Sequence, residues 1–169
     1  MRVKVRQAVG DELDSLAEMV IDFREEHSRL IGGDKIVDRE EVLEEVRRRL
    51  SDKQTGYFVA VSPEEGIVGY RSWEHRDDFY FTKELFVKPD WRRRGVAKEI
   101  IEKMESWLVD KGQDMACISC VPQNIAMIEL ARSEGYKVLN RIELRKELAG
   151  DGTDARDRER ALGYEWDIL

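Results

Sequence analysis

Cysteine, histidine and proline are scarce in this chain, with 2, 2 and 3 copies among 169 residues. Two cysteines are too few to staple a small disulfide scaffold. Cys117 and Cys120 have the C-x-x-C spacing, yet a zinc site needs two further ligands, and His27 and His75 lie far off in sequence. The run that holds them, 115–121 (MACISCV), reads as a buried apolar strand in which a reduced cysteine is a small hydrophobe. A redox pair is the alternative there. Long apolar runs are missing too: nothing approaches the roughly 18 residues of a membrane span. The opening MRVKVRQAVGDELD alternates and then turns acidic, unlike a signal or transit peptide, so the cytoplasm is the expected compartment. Basic charge is in deficit, 29 Lys and Arg against 36 Asp and Glu, a net −7. That balance argues against nucleic acid as a partner and leaves room for a cationic one. No G-x-G-x-x-G, Walker loop or internal repeat is present.

What remains is an ordinary apolar fraction, 41%, in a highly charged chain, 38%. The length fits one domain with a real core. Val3, Val5, Gln7 and Val9 alternate with Lys4, Arg6 and Ala8 as a half-buried first strand, after which Asp11 can cap a helix. Leu13, Leu16, Val20, Phe23, His27 and Leu30 then recur on one helical face, and Ile31, Gly32, Gly33 and Asp34 break it. Asp38 opens a second helix with Val42, Leu43, Val46 and Leu50 inward. From Gly56 the period becomes two, predicting strands at 57–61, 67–73 and 79–87 with turns at 63–66 and 76–78. A helix follows over about 95–110, closed by Gly112, then a strand at 115–121, a short helix at 124–133 and a last strand at 136–148. The order β-α-α-β-β-β-α-β-α-β predicts an α/β (α+β) fold, a mixed, mostly antiparallel central sheet flanked by helices. Strict alternation of a doubly wound dinucleotide fold is absent.

The domain is expected to span 1–148, with a C-terminal extension over 149–169. Residues 149–160 (AGDGTDARDRER) read as a polar connector. Leu162, Tyr164, Trp166 and Ile168 alternate with Gly163, Glu165 and Asp167, which predicts an edge strand at 161–169. It would join this sheet or, in a homodimer, that of a second copy.

The segment 84–98 (ELFVKPDWRRRGVAK) carries the chemistry. A strand ends at Pro89, and three arginines and a glycine open a helix. The first N–H groups of a helix lack internal partners and attract anions. Gly95 permits close backbone approach and Ala97 leaves the next turn unobstructed, so the pattern suits a pyrophosphate. Arg92, Gly95 and Ala97 resemble the acetyl-CoA signature of the GNAT superfamily of N-acetyltransferases. Pro122, Gln123, Asn124 and the later Gly135 and Tyr136 resemble its second segment, and residues 79–148 follow the family pattern throughout.

The resemblance implies the acyl-CoA N-acyltransferase (GNAT) fold and acetyl-CoA as co-substrate, with no metal. Leu85, Phe86 and Val87 would offer backbone groups to the pantetheine arm. Arg92 and the backbone of Arg93, Arg94, Gly95, Val96, Ala97 and Lys98 would hold the pyrophosphate, and Asn124 would touch the pantetheine or acceptor side. The acceptor would be a primary amine: a small polyamine-like or aminoglycoside-like molecule, or a protein amino group. Here the chain departs from family habit. The usual acid tyrosine, seven residues after the asparagine, is Ala131; positions used for a base hold Ser119, Lys83 and Phe81. Glu84 is the substitute base, although strict alternation puts it on the face opposite Leu85 unless a bulge changes the parity. His27 either borders the acceptor groove or packs in the core. Asp22, Glu25, Glu26 and Asp34 would make the groove acidic, or are solvated helix charges. The missing tyrosine keeps a second reading in play, a non-catalytic acyl-CoA-binding or protein-interaction module on the same fold.

Overall fold

The computed structural model of the chain describes residues 2–34, 36–139 and 143, together with the backbone of 157–161 and 164–168. The first strand, β1, runs Lys4–Gln7; α1 spans Leu13–Leu30 and α2 Arg39–Ser51. The meander follows as β2 Thr55–Ser62, β3 Gly66–Arg76 and β4 Phe79–Val87. Next come α3 Val96–Asp110 and α4 Ile125–Ser133, and then β5 Asp157–Ala161 and β6 Tyr164–Ile168. Strands β1 to β4 form one antiparallel sheet in sequence order. Its two faces follow the alternation of each strand, which a register shift between β2 and β3 at Ala60 and Val61 interrupts. Phe58, Ala60, Val68, Trp73 and Val87 meet Ile100, Met104 and Leu108 of α3. Tyr57, Val59, Ile67, Tyr70 and Phe86 meet Leu16, Val20, Val42 and Val46 of α1 and α2. The expected mixed architecture, a mainly antiparallel sheet between helices, is the one found.

Local chemistry sets the boundaries. Asp38 caps α2 by accepting from the N–H groups of Glu40 and Glu41 at 2.8 and 3.1 Å. The expected Asp11 cap of α1 is absent. A 3-10 turn over Gly10–Glu12 leads into the helix, and Glu12 reaches back to the Val9 N–H at 3.0 Å while clamping Arg6. Val9 leaves the sheet and is exposed. Leu30 also ends more exposed than its place on the stripe predicts.

Three sequence expectations are corrected. Residues 115–121 form no ladder; Cys117 is half-buried and Cys120 exposed, so the run is not a buried strand. The segment touches β4 through Thr82, whose hydroxyl donates to the Cys117 carbonyl at 2.6 Å, and Ala116 packs on the α3-side core. Residues 136–139 are likewise not in a strand, with Val138 and Leu139 exposed; most of the rest of the strand expected at 136–148 lies outside the described residues. The supposed connector contributes β5, which pairs with β6 in a separate two-stranded sheet, Glu159 opposite Trp166. Among the described residues the C-terminal strand therefore pairs with the stretch just before it, Ala161 opposite Tyr164 and Asp157 opposite Ile168, and not with the main sheet. No helix among the described residues is long and apolar enough to cross a membrane.

Candidate functional site

Between Arg71 and Trp73 of β3 the register with β4 shifts by one: Arg71 faces Leu85, but Trp73 faces Thr82. Lys83 and Glu84 therefore both stand against Ser72, a β-bulge. The N–H that the bulge frees is satisfied, since Glu84 N donates to Ser72 Oγ at 3.0 Å. Trp73 and Leu85 pack on the α3 side, whereas Lys83 reaches Glu74 at 2.6 Å and Glu84 reaches Arg24 of α1, both on the other face. The bulge thus turns two successive side chains towards α1 and α2. Glu84 sits there as part of a polar cluster. Arg24 Nη2 donates to Glu45 Oε2 at 2.8 Å and to Glu84 Oε1 at 3.4 Å, and Tyr70 Oη donates to Glu84 Oε2 at 3.4 Å.

Burial and the nearby Glu84 carboxylate hold the Tyr70 hydroxyl well above its ordinary value, so it acts as a donor. Tyr57 lies beside it, edge-on at 5.9 Å between ring centroids. Its hydroxyl is pushed up by burial too, and its oxygen has no hydrogen-bond partner although the residue is only 2% exposed. Desolvation opposes the charge of Arg24, but Glu45 and Glu84 together raise it above the ordinary value.

Beyond the bulge β4 is an edge strand among the described residues. The Phe86 carbonyl faces β3, close to Gly69, so by alternation the N–H groups of Leu85 and Val87 point away from the sheet. The Val87 carbonyl accepts from Arg92 Nε at 2.9 Å. Arg92 Nη2 continues to Glu26 at 2.7 Å, and the guanidinium lies over Phe86. Arg92 is thus a staple between β4 and α1. The loop then curls. Arg93 and Gly95 both have positive φ, 59° and 85°, and a Cβ on Gly95 would meet nothing within 4 Å. The loop and the first turn of α3 consequently face open space, with Val96 buried to anchor the helix and Ala97 packed against the α3-side core. Arg94 stacks over Trp91; Lys98 pairs with Glu134 at 2.6 Å and Glu102 at 3.2 Å. Asn124 caps α4, its Oδ1 accepting from Met127 N at 3.1 Å, while its amide nitrogen donates to nothing among the described residues.

Other expected residues fall less centrally. His27 stacks on Phe23 at 5.6 Å, and Phe23 meets Tyr70 and Phe86 edge-on, so the histidine borders the aromatic floor of the cluster. Asp22 and Asp34 are exposed, and Glu26 is tied to Arg92. The carboxylates of the polar cluster around Arg24 are Glu45 and Glu84 instead. The sequence reading missed Arg24, Glu45, Tyr57 and Tyr70. A signal existed for Arg24, which borders the apolar stripe next to Phe23; nothing in the sequence marked Glu45 among so many helix carboxylates.

On the α3 side a second network braces the segment after α3. Arg71, 2% exposed, donates through Nη2 to Thr82 Oγ1 at 2.6 Å, and Thr82 passes the contact to Cys117. Tyr136 Oη donates to Glu105 of α3 at 2.5 Å. Burial lowers the Arg71 value, and Tyr136 and Glu105 offset part of that. Desolvation pushes the Cys120 thiol up even though the residue is exposed, the wrong direction for a reactive thiolate. Among the described residues no group of three or more His, Cys, Asp or Glu could hold a metal.

The chain resembles known proteins along most of its length. Over 89 residues it is 33% identical to the L-amino acid N-acyltransferase MnaT of Escherichia coli (strain K12), covering 49% of this chain and 52% of that protein. Over 84 residues it is 25% identical to the aminoglycoside N(6')-acetyltransferase type 1 of Stenotrophomonas maltophilia, covering 44% and 55%. The matches therefore span about half the length of these curated relatives. A solved structure of the aminoglycoside N-acetyltransferase AAC(6')-Iy in complex with CoA superposes with a TM-score of 0.72 at 18% identity, over 88% of this chain and 96% of that one. A probable acetyltransferase superposes at 0.73 and 17% identity, over 88% and 99%. These two likenesses are ones of fold. The model of the acetyltransferase (GNAT) family matches residues 17–136, so the chain belongs to that family.

Proposed function

We propose that the protein transfers the acetyl group of acetyl-CoA to a primary amine by direct attack in a ternary complex. One observation carries the reading: a free strand edge at Leu85 and Val87 lies between the Glu84 bulge and the left-handed turn that opens α3. Those three features suit, in order, a pantetheine arm, an attacking amine and a pyrophosphate. The outward N–H groups of Leu85 and Val87 would bond the arm, one of them polarising the thioester carbonyl. The backbone N–H groups over 93–98, with the positive end of α3, would take the pyrophosphate. Arg92 would act by fixing this loop to β4, and the Asn124 amide nitrogen would reach the pantetheine side.

The family membership supports the donor; the names of the relatives, an L-amino acid acyltransferase and an aminoglycoside acetyltransferase, support an amine acceptor. A lysine-like amine with a pKa of about 10.4 is only about 0.04% neutral at pH 7, so removing its proton matters. Glu84 is the base in this account. It takes one proton from the ammonium, and the freed nitrogen lone pair attacks the thioester carbon. The C–N bond forms, the C–S bond breaks, the thiolate takes a proton back from Glu84, and the second amine proton leaves to water. The Tyr70 hydroxyl orients the carboxylate throughout. With a thiol leaving group of pKa about 8.5, the acid tyrosine that Ala131 replaces is dispensable.

Thiol release measured across a panel of polyamines, aminoglycosides, amino acids and lysine peptides tests this. Acetyl-CoA-dependent turnover of at least one amine is expected. Tight acetyl-CoA binding with no turnover on the panel would favour the non-catalytic acyl-CoA-binding module that the absence of an acid tyrosine at Ala131 suggests.

A further inference from the structure

The acceptor cluster holds opposite charges side by side. Arg24 makes both of its carboxylate contacts through Nη2, the shorter to Glu45 at 2.8 Å and the longer to Glu84 at 3.4 Å. Its Nη1 and Nε donate to nothing among the described residues, although a guanidinium has five donors in a rigid fork. Glu45 therefore anchors Arg24 to α2, while the link to Glu84 is the weaker one and the easier to exchange. Both side chains are about a quarter exposed, at 27% for Arg24 and 21% for Glu84, so a ligand can reach them. The floor beneath is apolar and aromatic, with Phe23 edge-on to Tyr70. The Tyr57 oxygen is buried there without a partner, and the charges of Glu84, Glu45 and Arg24 all act on it.

Building on the acetyl-transfer reading, we infer that Arg24 is a specificity-determining residue that makes the acceptor an α-amino acid. A zwitterion carries its ammonium and carboxylate on one carbon, at about the spacing of a hydrogen-bonded pair. Its ammonium replaces Arg24 at Glu84, and its carboxylate takes the spare fork of Arg24, which Glu45 keeps in place. The exchange swaps one ion pair for two, with Arg24 shared between Glu45 and the ligand carboxylate. The same step delivers the ammonium to the base that deprotonates it. A polycation without a carboxylate meets Arg24 as a like charge at the mouth of the site. The half-buried ring of Phe23, packed edge-on to the buried Tyr70, favours an apolar or aromatic amino-acid side chain.

Matched pairs test this: L-phenylalanine against phenethylamine and L-leucine against isoamylamine, with spermidine as the polycation. The wild-type protein is expected to acetylate the amino acids with the higher kcat/KM. Arg24→Gln is expected to lower the ratio of amino acid to matched amine about 10- to 100-fold, the range of a charge-assisted bidentate contact, chiefly through KM. Arg24→Glu is expected to raise activity on spermidine, a gain that a misfolded variant would not show. The inference is overturned if Arg24→Gln depresses both members of each pair equally, or if the wild-type protein prefers spermidine. Acetylation of amines with no such ratio change leaves the acetyl-transfer reading standing. Failure of every acceptor despite acetyl-CoA binding removes both.

Discussion

At the scale of single residues, proton transfer in the proposed reaction depends on Glu84 and on the bulge that turns it. Replacing Glu84 by Gln keeps the shape and removes the proton acceptor. A fall in kcat of about 10²- to 10⁴-fold is expected, the usual worth of a general base, with the acetyl-CoA dissociation constant unmoved. An unchanged kcat would shift the role of base to another group. The cysteines make the opposite case. Cys117 acts through its carbonyl and the Cys120 thiol is raised, so the double change to alanine is expected to leave turnover unaltered in an assay with and without reductant. The bulge had a faint trace in the sequence. Lys83 and Glu84 are consecutive polar residues where alternation calls for one, and the extra residue brings them to the same face.

Among elements, the helices and the meander were legible because their apolar periods change cleanly from near 3.6 to two at Gly56. What periodicity lacks is information on pairing. The run 115–121 is apolar enough for a buried strand, but it touches β4 through Thr82 and then leaves Ser119 and Cys120 in solvent. The tail shows the converse. Its alternation announced a strand, but its partner was the charged stretch Asp157–Ala161, which composition had assigned to a connector. The edge of β4, open among the described residues and needed by the proposed site, follows from the divergence that the sequence concealed. Caps are simpler, since one side chain decides them. Asp38→Ala removes both bonds to the α2 N-terminus and is expected to cost about 1 kcal/mol. For a chain of this length that lowers Tm by about 2–4 °C, as differential scanning calorimetry would read.

Taken whole, the molecule is held between β1, the 3-10 turn and β4 by ion pairs that titrate in acid. The Arg6 hydrogen bonds hold the Glu12 carboxyl below its ordinary value, and Lys83 does the same for Glu74. A folded-state value below the unfolded one means that the unfolded chain binds more protons in that window. The stabilisation is therefore complete above the unfolded value of about 4.3 and is lost as pH falls through the lower folded value. The urea midpoint should drop as pH is lowered below about 4.3, and the double variant Glu12→Gln, Glu74→Gln should show a shallower decline. An identical decline in that variant would assign the acid sensitivity elsewhere. Added salt should weaken the effect only modestly, because both carboxylates are mostly shielded from solvent.

The central claim is that the turn after β4 and the start of α3 form the seat of acetyl-CoA. Calorimetric titration of the purified protein with acetyl-CoA tests it most directly. It is paired with two variants, Gly95→Glu and the double change Arg93→Ala, Arg94→Ala, each checked for an intact fold by circular dichroism. Gly95 has φ of 85° and faces open space, so a carboxylate there strains the turn and repels a pyrophosphate. Micromolar binding by the wild-type protein, lost in Gly95→Glu and weakened in the arginine variant, is the predicted result. Wild-type binding that both folded variants retain, or no binding at all, would contradict it.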